Sequence, residues 1–164
     1  MKTITYEQFL EFKPCWLSEP GGRDRLDKIA KAREHWTALD ILELPGVAAE
    51  EKLWAALREA LIGAKTLRLF AVWCARQALA LITTPDPRSV SAVDVAERYA
   101  HREATDAELA AAWEADWAAA RASARAAARA AAQAATWAAD WASARAAARA
   151  AQVAKLTEML RMEV

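Results

Sequence analysis

The sequence predicts an all-α protein. A helical core domain is expected over residues 1–104. An Ala-rich segment, 105–164, is expected to pack on that core as a long helical hairpin or as one long curved helix. Three observations predict this. Alanine, the strongest helix former, supplies 45 of the 164 residues. All four Gly and all five Pro lie at or before Pro87, so the remaining 77 residues contain no breaker. Thr5 with Gln8 and Thr105 with Glu108 have the spacing of capping boxes, which open helices.

Element by element, Thr5 opens a short helix whose apolar residues are Phe9, Leu10 and Phe12, and Pro14 stops it. Ser18 to Gly22 reads as a loop. A polar amphipathic helix follows, with Leu26, Ile29, Arg33 and Trp36 at helical spacing. Thr37 caps a turn through Asp40, Ile41 and Leu44 that ends at Pro45-Gly46. Residues 49–62 place Leu53, Trp54, Leu57, Leu61 and Ile62 on one stripe, with Gly63 as C-terminal cap. Residues 65–82 are apolar nearly all round and read as a central buried helix. Leu53, Leu57, Phe70, Trp73 and Leu79 are the expected centre of the core. Thr83 to Pro87 is a loop. Ser89 or Ser91 opens a helix through Val93, Ala96, Tyr99 and Ala100.

From Ala107 to Ala154, 28 of 48 residues are alanine, so the segment buries little surface alone. Within it a unit of 24 residues occurs twice. Trp113, Asp116, Trp117, Arg121 and Arg125 recur as Trp137, Asp140, Trp141, Arg145 and Arg149. The larger side chains recur every four positions, advancing about 40° per step on a straight helix. One straight helix therefore cannot aim them all at one partner. A break near Gln133–Thr136, giving one repeat per arm, or a long curve resolves this. Within each repeat a Trp precedes an Arg by four, where guanidinium can lie over indole.

Composition narrows the function classes. Lys and Arg total 22, as do Asp and Glu, so a generally basic nucleic-acid coat is excluded. The Arg ladder of Arg121, Arg125, Arg129, Arg145 and Arg149 is either a cationic face for an acidic protein or nucleic acid, or a solvated face. Eight acids against eight bases over 101–164 leave no strong field. Trp16, Trp36, Trp54 and Trp73 are expected in the core. Cys15, Cys74, His35 and His101 have no metal-ligand spacing. Cys74 reads as a small buried apolar residue and the two His as helix-end residues. No nucleophile–base motif or phosphate loop is present. No enzyme activity and no cofactor are expected. The longest apolar stretch, Leu69 to Ala75, is far short of a bilayer span, and Glu7 and Glu11 argue against a secretory leader. A soluble, cytoplasmic protein is expected.

Three runs carry a resemblance: FAVWCARQALALI from Phe70, PDPRSVSAVDVAERYAHREATDAELAAA from Pro85, and the opening YEQFLEFKPCW from Tyr6. Together with the Ala/Trp/Arg tract they resemble an alanine- and tryptophan-rich family of bacterial and temperate-phage proteins. Members are labelled immunity proteins through gene context with polymorphic toxin systems. Members often have Gly where this chain has Arg102. The resemblance implies a non-enzymatic, all-helical protein that binds and neutralises another protein, a toxin or a host defence protein. The expected binding surface is Trp113, Trp117, Arg121, Arg125, Arg129, Trp137, Trp141, Arg145 and Arg149. Self-assembly through the Ala-rich helices is the alternative, and weak nucleic-acid binding a third. Homo-oligomerisation is open under any of them.

Overall fold

The computed structural model describes residues 2–13, 21–24, 27, 33–116 and 138–162, with side chains in the last segment from residue 144. The protein is mostly helical, with one small sheet. In chain order the elements are β1 (Thr3–Thr5), α1 (Tyr6–Glu11), β2 (His35–Thr37), α2 (Ala38–Leu42), α3 (Ala49–Ala56), α4 (Ala64–Ala80), α5 (Pro87–Ala100), α6 (residues 106–116) and α7 (Ala138–Met162). The expected break near Gln133–Thr136 lies outside the described residues. The chain divides into two compact units. One comprises Met1–Leu67 with Ala146–Val164, the other Arg68–Arg145.

In the first unit, β1 and β2 pair antiparallel, with Ile4 opposite Trp36 and both side chains buried. Each strand runs straight into a helix, and its last residue caps that helix. Thr5 Oγ1 accepts from Gln8 N–H, while Gln8 Oε1 accepts from Thr5 N–H at 2.9 Å. Thr37 and Asp40 repeat the reciprocal pair at 3.2 and 2.9 Å. The mostly helical fold is the one expected, and the small sheet corrects one detail of it: Trp36 sits in a strand rather than at the end of an amphipathic helix. Pairing with Ile4 buries Trp36 on a strand face, and that long-range partner cannot be read from helical spacing.

The expected helix over 49–62 stops at Ala56. Leu57 adopts φ −76°, ψ 62°, and Arg58 N–H donates to Ala56 O at 2.8 Å, an inverse γ-turn. The N–H groups of Leu61 and Ile62 then both donate to Arg58 O at 2.9 Å. Leaving the helix sends both Leu61 and Ile62 into the core, beside Ile41, Leu42 and Leu53 among its buried residues. Gly63 therefore caps no helix C-terminus; its carbonyl accepts from Leu67 N–H in the first turn of α4. Leu57 itself is half-buried.

The C-terminal part of α7 belongs to the same unit. Leu156 and Leu160, four apart on one face, are 0% and 1% exposed. Burying two leucines contributes about 2 kcal/mol each. Arg161 Nη2 reaches Glu43 Oε1 at 2.6 Å from 118 residues away, and Arg149 Nη2 lies 4.0 Å from Glu50 Oε1. These exposed ion pairs add little beside the leucines.

The second unit holds most of α4, with α5 and α6. α5 begins at Pro87 rather than at Ser89 or Ser91. Asp86 Oδ1 accepts from Arg88 N–H at 2.9 Å, and Pro87 takes the first helical position, where no N–H is required. The Arg88 side chain and backbone N–H both bond the Asp86 carboxyl and lower its pKa to about 2. α5 ends in a Schellman motif. Arg102 has φ +64°, Glu103 N–H donates to Arg98 O at 2.8 Å and Arg102 N–H to Tyr99 O at 3.0 Å. His101 is the helix-end residue expected, whereas His35 lies in β2. Thr105 and Glu108 then form the second predicted capping box.

α4 is not buried all round. Phe70 and Val72 are buried, Trp73, Cys74 and Leu79 are half-buried, and Leu81 just beyond the helix is 88% exposed. Much of what this unit offers as packing surface is alanine, whose methyl group is too short to cover a larger neighbour. Trp54 also departs from expectation, at 36% exposed, while Trp16 lies outside the described residues.

Two predictions follow from these contacts. Leu156→Ala should cost about 3 kcal/mol in denaturant unfolding, because it leaves a cavity in a fully closed site. Arg102→Gly should raise stability by about 1 kcal/mol in the same measurement, because glycine carries no penalty at positive φ.

Candidate binding groove of the second unit

Three helices of the second unit wall an open groove of about 480 Å³. α4 contributes Arg68, Ala71, Val72 and Ala75, the i, i+3, i+4, i+7 face of one helix. α5 contributes Ala92, Val93 and Ala96. α6 contributes Asp106, Leu109, Ala110, Trp113 and Asp116. Five of the twelve lining residues are alanine, and this explains the open volume: larger side chains at these positions would have filled it. The lining is apolar except for Arg68, Asp106 and Asp116. Trp113 is 69% exposed.

One end of the groove is held by a polar cluster. Tyr99 Oη donates to Asp106 Oδ1 at 2.6 Å, and the Arg68 guanidinium lies 4.8 Å from the Tyr99 ring centroid. The hydrogen bond to Asp106, and that carboxylate's charge, push the Tyr99 phenol above its ordinary value; nearby Arg68 opposes this weakly. Arg98 Nη1 lies 3.8 Å from Glu108 Oε1. Arg76 ties α4 to α5 by bonding Asp94 at 3.1 Å and also Glu97. The walls of the groove are thus cross-linked by side chains on neighbouring helices.

Of the residues expected to form a binding surface, Trp113 stands at this groove. Arg145 is exposed on α7. Arg149, also on α7, is half-buried and donates to Gln152 Oε1 at 3.1 Å, besides lying near Glu50. Trp141 lies on α7. Trp117, Arg121, Arg125, Arg129 and Trp137 lie outside the described residues. The alanine and valine walls were not singled out by sequence. Their signal is the small-residue stripe of α4, which an apolar count merges with its larger residues.

In the first unit, the Arg58 guanidinium lies 4.3 Å from the Trp54 ring centroid and 5.3 Å from that of Phe12. Trp54, 36% exposed, thus packs its ring against a cation. Among the described residues no group of three or more His, Cys, Asp and Glu could hold a metal ion, and no helix is long and apolar enough to cross a membrane.

Removing the Asp106 carboxylate should bring the Tyr99 phenol back toward its ordinary value. A raised phenol pKa in the folded state favours folding below the ordinary phenol value of 10.0, and that contribution fades as pH climbs past it. Titrating phenolate absorbance in a Tyr6→Phe background, with and without Asp106→Ala, should show a lower midpoint in the double variant. No protein-family model matches this chain, and neither a curated protein nor a solved structure matches it.

Proposed function

We propose that this chain is a non-enzymatic binding protein that neutralises another protein by covering part of its surface. On this reading it is an immunity-like or anti-defence protein of bacteria or temperate phages, working in the cytoplasm. One observation carries the reading. An indole 69% exposed stands at the edge of an apolar groove whose walls are cross-linked. Exposed tryptophans over apolar pockets are the usual anchors of protein interfaces, because burying one on binding removes a large apolar area from water. The resemblance to immunity proteins points to the same class of activity.

The test is recovery of a partner from bacterial lysate by a tagged copy, read by mass spectrometry. Wild type is expected to recover one protein, and Trp113→Ala to lose it while keeping its fold. The variant with Arg121, Arg125, Arg145 and Arg149 all changed to Glu is expected to weaken recovery. A partner retained by both variants would overturn this assignment of the surface. Recovery of the chain's own copies alone would favour self-assembly instead.

A further inference from the structure

We propose that the groove of the second unit is the docking slot for a basic amphipathic helix of the protein partner. The proposal rests on the binding reading above and specifies its ligand. On α6, Asp106, Leu109, Ala110, Trp113 and Asp116 fall within about 120° of one another at 100° per residue, so they share one face. The apolar stripe of Leu109, Ala110 and Trp113 is bracketed by a carboxylate at each end. Ten positions along the helix separate those carboxylates, an axial rise of about 15 Å, or nearly three turns of helix.

Charge selects the occupant. Among the described residues, the groove lining carries Asp106 and Asp116 against Arg68. Arg68 lies over the Tyr99 ring, whose hydroxyl donates to Asp106, so among these residues the Asp116 end carries the excess negative charge. Residues 106–116 hold four acids and no base. A cationic side chain at the Asp116 end would meet both that carboxylate and the Trp113 face, which attracts cations.

Backbone chemistry selects its conformation. All three walls are helices, whose backbone groups are already paired within themselves. An extended peptide would find no strand edge here to satisfy its own N–H and C=O groups. A helix brings its hydrogen bonds with it. The alanine floor of Ala71, Ala75 and Ala96 lets its backbone approach closely.

The test uses the full chain and a fluorescent helical peptide of about 14 residues, with leucines spaced i, i+4, i+7 and a lysine near each end. A matching peptide carries glutamates in place of the lysines. Anisotropy titration should show the lysine peptide binding at least about tenfold more tightly than the glutamate peptide. Trp113→Ala should weaken it about tenfold, and Asp116→Lys should reverse the preference. Circular dichroism should show each variant folded as wild type. Equal binding of the two peptides, or no binding of the lysine peptide by folded wild type, would overturn the proposal. So would self-association in sedimentation velocity that Trp113→Ala abolishes, because the slot would then be filled by a second copy. If the peptide fails while Trp113→Ala still loses the lysate partner, the binding reading stands and the helical, basic ligand falls.

Discussion

The first unit depends on two leucines near the end of the chain. Among the described residues, Leu156 and Leu160 are the most deeply buried side chains α7 contributes. Strands β1 and β2 are three residues each, and α1 and α2 are six and five, too short to be stable alone. They persist because Ile4, Phe9, Trp36, Ile41 and Leu42 share one core with that last helix. The unit is therefore discontinuous. Its core is complete only once residues 146–162 have been synthesised, whereas residues 68–145 form an unbroken stretch of chain.

The second unit follows a different rule, set by side-chain length. Alanine holds helices together by propensity and close approach, yet it fills space poorly. Where Ala71, Ala75, Ala92, Ala96 and Ala110 face one another, a groove remains. Exposed polar links join the neighbouring helices across this thin apolar packing: Arg76 to Asp94 and Glu97, Tyr99 to Asp106. A composition that makes helices easily thus leaves them with an unfilled seam, and that seam is the candidate site.

Local signals were legible in the sequence, and long-range ones were not. The pairs Thr5–Gln8 and Thr105–Glu108 each close within four residues, so spacing alone located them, and Thr37 was legible as a cap, though not its reciprocal bond with Asp40. Asp86-Pro87 was equally local, but the serines downstream offered a competing start. The Ile4–Trp36 pairing joins residues 32 positions apart, and nothing near Trp36 announces it. The γ-turn at Leu57 interrupts a sound helical pattern because Leu61 and Ile62 are better buried off the helix. Of the candidate site, Trp113 was legible as a large residue among alanines. The groove beside it was not, because a void arises from what three separate helices lack.

The two capping threonines also limit how the sheet meets other molecules. Thr5 and Thr37 each turn the chain into a helix at once, so neither strand can extend past three residues. A neighbouring chain adding to either outer edge would gain only a few backbone hydrogen bonds before meeting a helix. Short, abruptly terminated edges are one way proteins resist amyloid-like growth. The residues that start the helices thereby act as guards against strand-mediated aggregation, a protection built into the fold's most local interactions.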